Sequence, residues 1–245
     1  MNLHRTIYYL LTKPNAFRFP LTPFIRFIYW QLSYRLGKKD ILFNLPTGTQ
    51  IQLKPHQVGL SNFYYYGLPD YKEQKFLINH LGKDDLFIDV GANVGGWSML
   101  AAGTGARVIA IEPVPATYQS LKENIEISKV NTVQSYQLGL SDSEGSLFFS
   151  VDKDAENKVV NKDYNGLKSK IRVTTLDSLL DEQKPAIIKI DVEGHELAVL
   201  HGSNKILQTE KLKALIIETF RSKENLEKIK KVDNFLEKFG FIPVD

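Results

Sequence analysis

The chain has no cysteine in its 245 residues. Disulfides, thiolate metal sites and cysteine nucleophiles are excluded at once, and a reducing compartment fits. Long apolar runs are missing too. No stretch reaches the roughly 18 uninterrupted apolar residues that a membrane-spanning helix needs. The first apolar run is broken by His4, Arg5 and Lys13, so it does not read as a secretory signal. The expected location is cytoplasmic.

A hydrophobic content of 43% with 24% charged residues excludes a disordered chain and allows one domain of about 200 residues with an extension. The net charge of +3 is unevenly spread. Residues 1–40 hold seven Lys/Arg and one acid, leaving 24 basic and 27 acidic residues for the remainder. A basic arm therefore precedes a slightly acidic body. The arm is also aromatic: FIRFIYWQLSYRLGKK (24–39) puts Phe24, Phe27, Ile28 and Leu32 on one helical side and leaves little of the rest polar. Pro20 and Pro23 set a helix start near 23. Two readings stay open. One is peripheral contact with an anionic membrane through residues 1–40, at the inner membrane face. The other is packing on the body of the protein or on a second subunit of a homo-oligomer. Nucleic acid is not an expected partner, because no recognition motif accompanies the charge.

Residues 86–96, LFIDVGANVGG, are the most informative stretch. An apolar strand ends in Asp89, and glycines follow at 91, 95 and 96. Strand, tight turn and helix start form the geometry that lets backbone N–H groups approach a nucleotide-like ligand. The acid changes the usual reading. A dinucleotide fold sets pyrophosphate over the first helix N-terminus, where a carboxylate at the strand end would repel it. It suits a ligand with an ammonium group and no phosphate there, such as S-adenosylmethionine. A second strand, RVIAIE (107–112), ends in Glu112, 23 positions after Asp89. In βαβ units an acid about 20 residues on accepts hydrogen bonds from ribose hydroxyls.

VGANVGGWS, IEPVPATYQSLKENI, LSDSEGSLFF, VTTLDSLL and KIDVEGHELAVLHG together resemble, in order, the motifs of the FkbM-type methyltransferase family, over residues 84–220 or so. The resemblance implies S-adenosylmethionine-dependent methyl transfer, typically to a hydroxyl of a sugar, glycan or related natural product. Cofactor contacts are expected at Asp89, Gly91, Asn93, Gly95, Glu112, Ser141 and Asp142, the last two reaching the adenine. Asp and Ser also favour ordinary turns, so Ser141 and Asp142 have a plain structural reading as well.

The expected fold is α/β, a Rossmann-like class I methyltransferase doubly wound sheet with an N-terminal helical and hairpin extension. Strands near 86–90, 107–111, 133–139, 186–191 and 213–218 alternate with helices near 96–103, 115–128, 195–207 and 223–238. The domain division is 1–40 for the arm, 41–82 for a hairpin and cap segment, and 83–245 for the core. Residues 57–72 read as a loop or cap whose Tyr64, Tyr65 and Tyr66 either line a substrate pocket or pack. A helix is expected over 72–81. SLFFSV (146–151) and KIRVTTL (170–176) read as extra strands around a polar loop, 152–169. The family's sheet usually ends in two further strands. GFIPVD at the chain end is enough for only one.

IIKIDVEGHE (187–196) is the acceptor-side candidate, since ligands of open α/β sheets bind beyond the carboxyl ends of the strands. Methyl transfer to an alcohol requires an acceptor oxygen about 3 Å from the methyl carbon and removal of its proton. His195 is the expected base, with Asp191 and Glu193 positioning the acceptor. The plain reading is that Asp191 and Glu193 cap the following helix. A divalent cation held by Asp191, Glu193 and Glu218 is possible but not favoured, and Lys189, inside its strand, reads as structural. Two alternatives remain. A nicotinamide-dependent oxidoreductase would want G-x-G-x-x-G, whereas Ala-Asn-Val separates Gly91 from Gly95. A non-catalytic membrane-associated binding protein would have no need of these intact acids.

Overall fold

A computed structural model describes residues 21–36, 40–54, 58–153, 156–219 and 225–244. Helix α1 (Leu21–Arg35) leads to a hairpin of β1 (Ile41–Asn44) and β2 (Gln50–Leu53), paired antiparallel. The first 20 residues of the basic arm lie outside the described residues. Next come helices α2 (Val58–Tyr66) and α3 (Tyr71–His80). The first of these corrects the expected loop. Leu60 and Phe63, one helical turn apart, are both buried, which gives the segment an inward stripe that a loop would lack. Tyr65 and Tyr66 are buried against Phe27 of α1, and Tyr64 packs edge-on to Phe43. These tyrosines pack between the hairpin and α1.

The central sheet contains β3 (Leu86–Val90), β4 (Arg107–Ile111) and β5 (Val133–Tyr136), with helix α4 (Gly96–Ala102) after β3 and α5 (Pro115–Ser128) after β4. A side sheet is built from β6 (Gly139–Leu140), β7 (Gly145–Ser150), β8 (Val159–Val160) and β9 (Lys168–Thr174). Helix α6 (Leu176–Leu180), β10 (Ile187–Ile190), α7 (Glu196–His201), β11 (Ala214–Ile217) and α8 (Leu226–Glu237) complete the chain. The central order is β11-β10-β3-β4-β5, all parallel, so the strand order reverses between β3 and β10. That reversal is where open α/β sheets form a ligand crevice.

Every residue of β3 is buried, because both faces of the sheet are covered. Leu86, Ile88 and Val90 face a core completed by α6, α7 and α8. Phe87 faces the other layer, with Met99 and Leu100 of α4, Leu77 of α3, and Ile51 and Leu53 of the hairpin. The hairpin is tied down by polar contacts as well. Asn124 donates to the Val94 carbonyl at 2.7 Å and accepts from the Gln52 N–H at 2.7 Å.

Three further expectations are corrected. The strand expected over 133–139 divides into β5 and β6, which belong to different sheets. The helix expected over 195–207 stops at His201 and resumes as a 3-10 turn, Ile206–Gln208. Residues 241–244 form no strand, and Ile242 and Val244 are exposed, so β11 is the sheet edge among the described residues. The extra strands expected around residues 146–176 are present as β7 and β9, paired antiparallel, with the short β8 inside the polar loop between them.

Candidate active site

Period-two geometry explains how the acids meet. Lys189 pairs in register with Asp89 across β10 and β3, so both side chains leave the same face of the sheet, and Asp191, two residues on, follows them. Asp89 is completely buried. Its Oδ2 accepts from the Ser98 hydroxyl at 2.6 Å, and Lys189 Nζ lies 3.8 Å from Oδ1. Oδ1 has no hydrogen-bond partner. Burial pushes the Asp89 carboxyl above its ordinary range, against the pull of Lys189 and Ser98.

Lys189 is 3% exposed and donates to Asp191 Oδ2 at 3.0 Å. Burial alone would lower its pKa. The Asp191 and Asp89 charges, the Asp191 hydrogen bond and the Glu218 charge outweigh burial and raise it, so the side chain is a buried ammonium. Trp97 puts its ring 5.7 Å from Nζ. Lys189 is thus a buried cation between the acids Asp89 and Asp191. An ionisable residue inside an otherwise apolar strand was the available signal. Ser98 was missed, and a serine in the first helical turn gives no sign of which acid it will reach.

The turn after β3 packs tightly on the neighbouring strands. The N–H groups of Gly91 and Ala92 both donate to the Ile111 carbonyl, at 3.0 and 2.9 Å. Gly91 has φ +77°, and a Cβ there would lie 1.8 Å from the Asp191 carbonyl oxygen. Asn93 also holds positive φ, and its N–H donates to Glu112 Oε2 at 2.9 Å. Glu112 Oε1 accepts from the Val114 N–H at 2.9 Å. Burial raises the Glu112 carboxyl to about 7, against those two hydrogen bonds.

Ser141 follows β6, and its hydroxyl lies 3.0 Å from His195 Nε2 and 3.4 Å from Asp142 Oδ1. Burial lowers the His195 pKa, with Asp142 pulling the other way. The expected base is therefore held beside the side sheet. It does not line the large cavity at the sheet edge. That cavity, of about 530 Å³, is lined by the acids Glu156, Asp191, Glu193, Glu196 and Glu218 and by Lys153, Lys158, Lys228 and Tyr164. A neighbouring cavity of about 380 Å³ joins Asp70, Trp97, Lys189 and Glu218. Burial, Asp191 and other nearby acids raise the Glu193 pKa. Asp191, Glu193 and Glu218 border the large cavity together, but among the described residues no three His, Asp or Glu are grouped to hold a metal ion.

The residues present fit S-adenosylmethionine. The buried Asp89 Oδ1 lacks a hydrogen-bond donor, which an ammonium group is able to supply, and each Glu112 oxygen, holding one backbone N–H, keeps a lone pair for a ribose hydroxyl.

A family model described as the methyltransferase FkbM domain matches residues 89–243. Hexuronic acid methyltransferase AglP of Haloferax volcanii is 35% identical over 138 residues, covering 55% of this chain and 56% of that protein. Methyltransferase 1 of Beauveria bassiana is 28% identical over 145 residues, covering 49% of this chain and 58% of that protein. The chain thus spans little more than half the length of these two relatives. A crystal structure of a SAM-dependent methyltransferase from Agrobacterium tumefaciens aligns with TM-score 0.46 and 12% identity, over 82% of this chain and 58% of that one. The assignment of the fold rests on this chain's own strand order.

Proposed function

The chain belongs to the FkbM methyltransferase family, and on that premise we propose that it transfers the methyl group of S-adenosylmethionine to a hydroxyl of an acidic sugar or glycan. The observation that carries the reading is the carboxyl end of β3, beside the reversal of strand order, where Asp89 and the glycine turn meet Glu112, which accepts from the Asn93 N–H. S-adenosylmethionine supplies, when bound, a methyl group on a positively charged sulfur. Asp89 offers Oδ1 to its ammonium, Glu112 accepts from its ribose, and Ser141 and Asp142 take the adenine end. Gly91, Asn93 and Gly95 shape the turn beneath it. Asp191 and Glu193 orient the acceptor from the cavity rim. Lys153, Lys158 and Lys228 offer cations to an acidic sugar, and Glu156, Asp191, Glu193, Glu196 and Glu218 in the same lining offer acceptors to its hydroxyls. The hexuronic acid in the relative's name supports the same class.

Thermal unfolding tests the cofactor. At about 100 times the dissociation constant, S-adenosylmethionine or S-adenosylhomocysteine adds roughly 2.7 kcal/mol, a midpoint rise on the order of 5–10 °C for this size. NAD gives none. Glu112→Gln is expected to weaken cofactor binding about ten- to a hundredfold, the loss of a hydrogen bond to a charged group. A rise with NAD alone would sink the reading.

The α1 helix supports a membrane-proximal placement. Its exposed side chains include Leu21, Phe24, Ile25, Ile28, Tyr29 and Leu32, on an arm whose charge suits anionic lipid. None of the described helices is long and apolar enough to cross a membrane. The protein is expected to sediment with phosphatidylserine-containing vesicles and not with neutral ones, and Ile25→Asp with Ile28→Asp should reduce that binding at least about tenfold. A dimer in solution with no vesicle binding would assign this face to a second copy instead.

A further inference from the structure

Methyl transfer to an alcohol needs a group that receives the hydroxyl proton, and His195, bonded to Ser141, lines neither cavity at the sheet edge. Glu218 lines both. It follows β11, and its N–H donates to the Ile190 carbonyl at 2.9 Å, which sets it level with the end of β10 and beside Asp191. The two carboxyl groups line the same cavity, and the Asp191 charge acts on Glu218. Asp191 is in turn held by Lys189, so three neighbouring residues on two adjacent strands form one chain of contacts ending at the cavity.

We propose that Glu218 is the general base of the proposed methyl transfer, with Asp191 as the residue that positions it. This inference rests on the methyltransferase reading above. In the step, the acceptor hydroxyl gives its proton to a Glu218 carboxylate oxygen, and the acceptor oxygen forms a bond to the methyl carbon. The carbon–sulfur bond breaks with its electron pair left on sulfur, giving a methyl ether, neutral S-adenosylhomocysteine and a protonated Glu218. The proton then leaves to solvent through the open cavity.

The surroundings tune this acid. Partial burial and the neighbouring Asp191 raise Glu218 to about 7, while Lys189 pulls it down and Asp70 adds a smaller push upward. Other charged groups border the two cavities. Lys72 and Glu73 stand on the α3 side, Lys153, Glu156 and Lys158 on the side-sheet insertion, Glu193 and Glu196 before and at the start of α7, and Lys228 on α8. A base near neutrality is partly ionised at working pH and still takes a proton readily.

Methyl transfer from S-adenosylmethionine to p-nitrophenyl glucuronide, followed across pH, tests the proposal. Wild-type kcat should rise with pH through a limb near 7. Glu218→Gln should lower kcat about 10²- to 10⁴-fold, with S-adenosylmethionine affinity within a few-fold, and Glu218→Asp should recover part of the rate. Asp191→Asn removes a neighbouring negative charge, so the limb should move to lower pH; loss of packing alone would not move it. Carboxyl-labelled carbon-13 NMR reads the group without any acceptor: Glu112 and Glu218 should both titrate near 7, and Glu218→Gln should remove one of the two titrations and leave the other. Full turnover in Glu218→Gln, an unchanged titration, or a rate abolished by EDTA and restored by magnesium would each overturn the assignment. Failure of the whole methyltransferase reading looks different, as wild-type protein that does not bind S-adenosylmethionine.

Discussion

Gly91→Ala should lower the unfolding midpoint by roughly 5–20 °C and abolish the stabilisation by S-adenosylmethionine. The new Cβ would lie 1.8 Å from the Asp191 carbonyl oxygen and 2.9 Å from its carbonyl carbon. These are backbone atoms, so the clash is relieved only by moving the segment that carries Asp191 and Glu193. Positive φ adds strain of about 1–3 kcal/mol, and overpacking adds about 1–3 kcal/mol more. At roughly 2–4 °C per kcal/mol for a chain of this size, the sum gives the stated range. Gly194→Ala separates the two effects. Its φ is +99°, but a Cβ there has nothing within 4 Å, so only the strain should appear. Calorimetry of both variants decides the point, and a Gly91→Ala midpoint within 2 °C or so of wild type would remove the close approach from the account.

Lys189→Met should destabilise the fold by about 3–5 kcal/mol, the usual loss when one partner of a buried ion pair is removed. Asp89 is left fully buried with Ser98 but no cation beside it, and Asp191 loses the Lys189 ammonium. The loss should depend on pH. Burial already raises the Asp89 carboxyl, and without Lys189 it rises further. A carboxyl whose folded pKa exceeds its unfolded value of about 3.9 favours folding when protonated, and that stability disappears as pH climbs through the raised value. The deficit should therefore be smaller at pH 5 than at pH 8. Lys189→Met/Asp89→Asn should recover part of it, because the uncompensated charge is gone. Urea titrations of wild type, both single variants and the double variant at the two pH values measure the coupling. Strictly additive losses, or a deficit that is flat with pH, would mean that Lys189 contributes packing alone.

The parts of the fold legible in the sequence are those with a strong local signal. The short, β-branched, mostly apolar runs at 86–90 and 108–111, bounded by turn residues, read as strands buried on both faces. The Pro115 start and helical spacing of 115–128 mark α5 to the residue. Residues 58–66 misled because their aromatic and glycine content resembles a loop, and only the docking of Leu60 and Phe63 against the first helix of the core makes a helix of them. At the chain end, two apolar residues alternating with Pro243 imitate a strand, but nothing pairs with them among the described residues.

The same division runs through the site. That Glu112, Asp191 and Glu218 each follow a strand, with Asp89 one residue short of the end of β3, is legible in the sequence, since each acid sits at the close of an apolar run and parallel strands present their carboxyl ends at one edge of the sheet. Which of those acids face one another is decided by register. A shift of one residue between β3 and β10 would turn Lys189 from Asp89 into the opposite core. His195 shows the limit in the other direction. Its intrinsic pKa recommends it as a base from sequence, but the packing of α7 beside β6 puts its ring against Ser141 and leaves the cavity to Glu218. Chemical type is local to a residue and can be read one letter at a time. Partners are set by strand order, register and loop packing, which are properties of the whole chain.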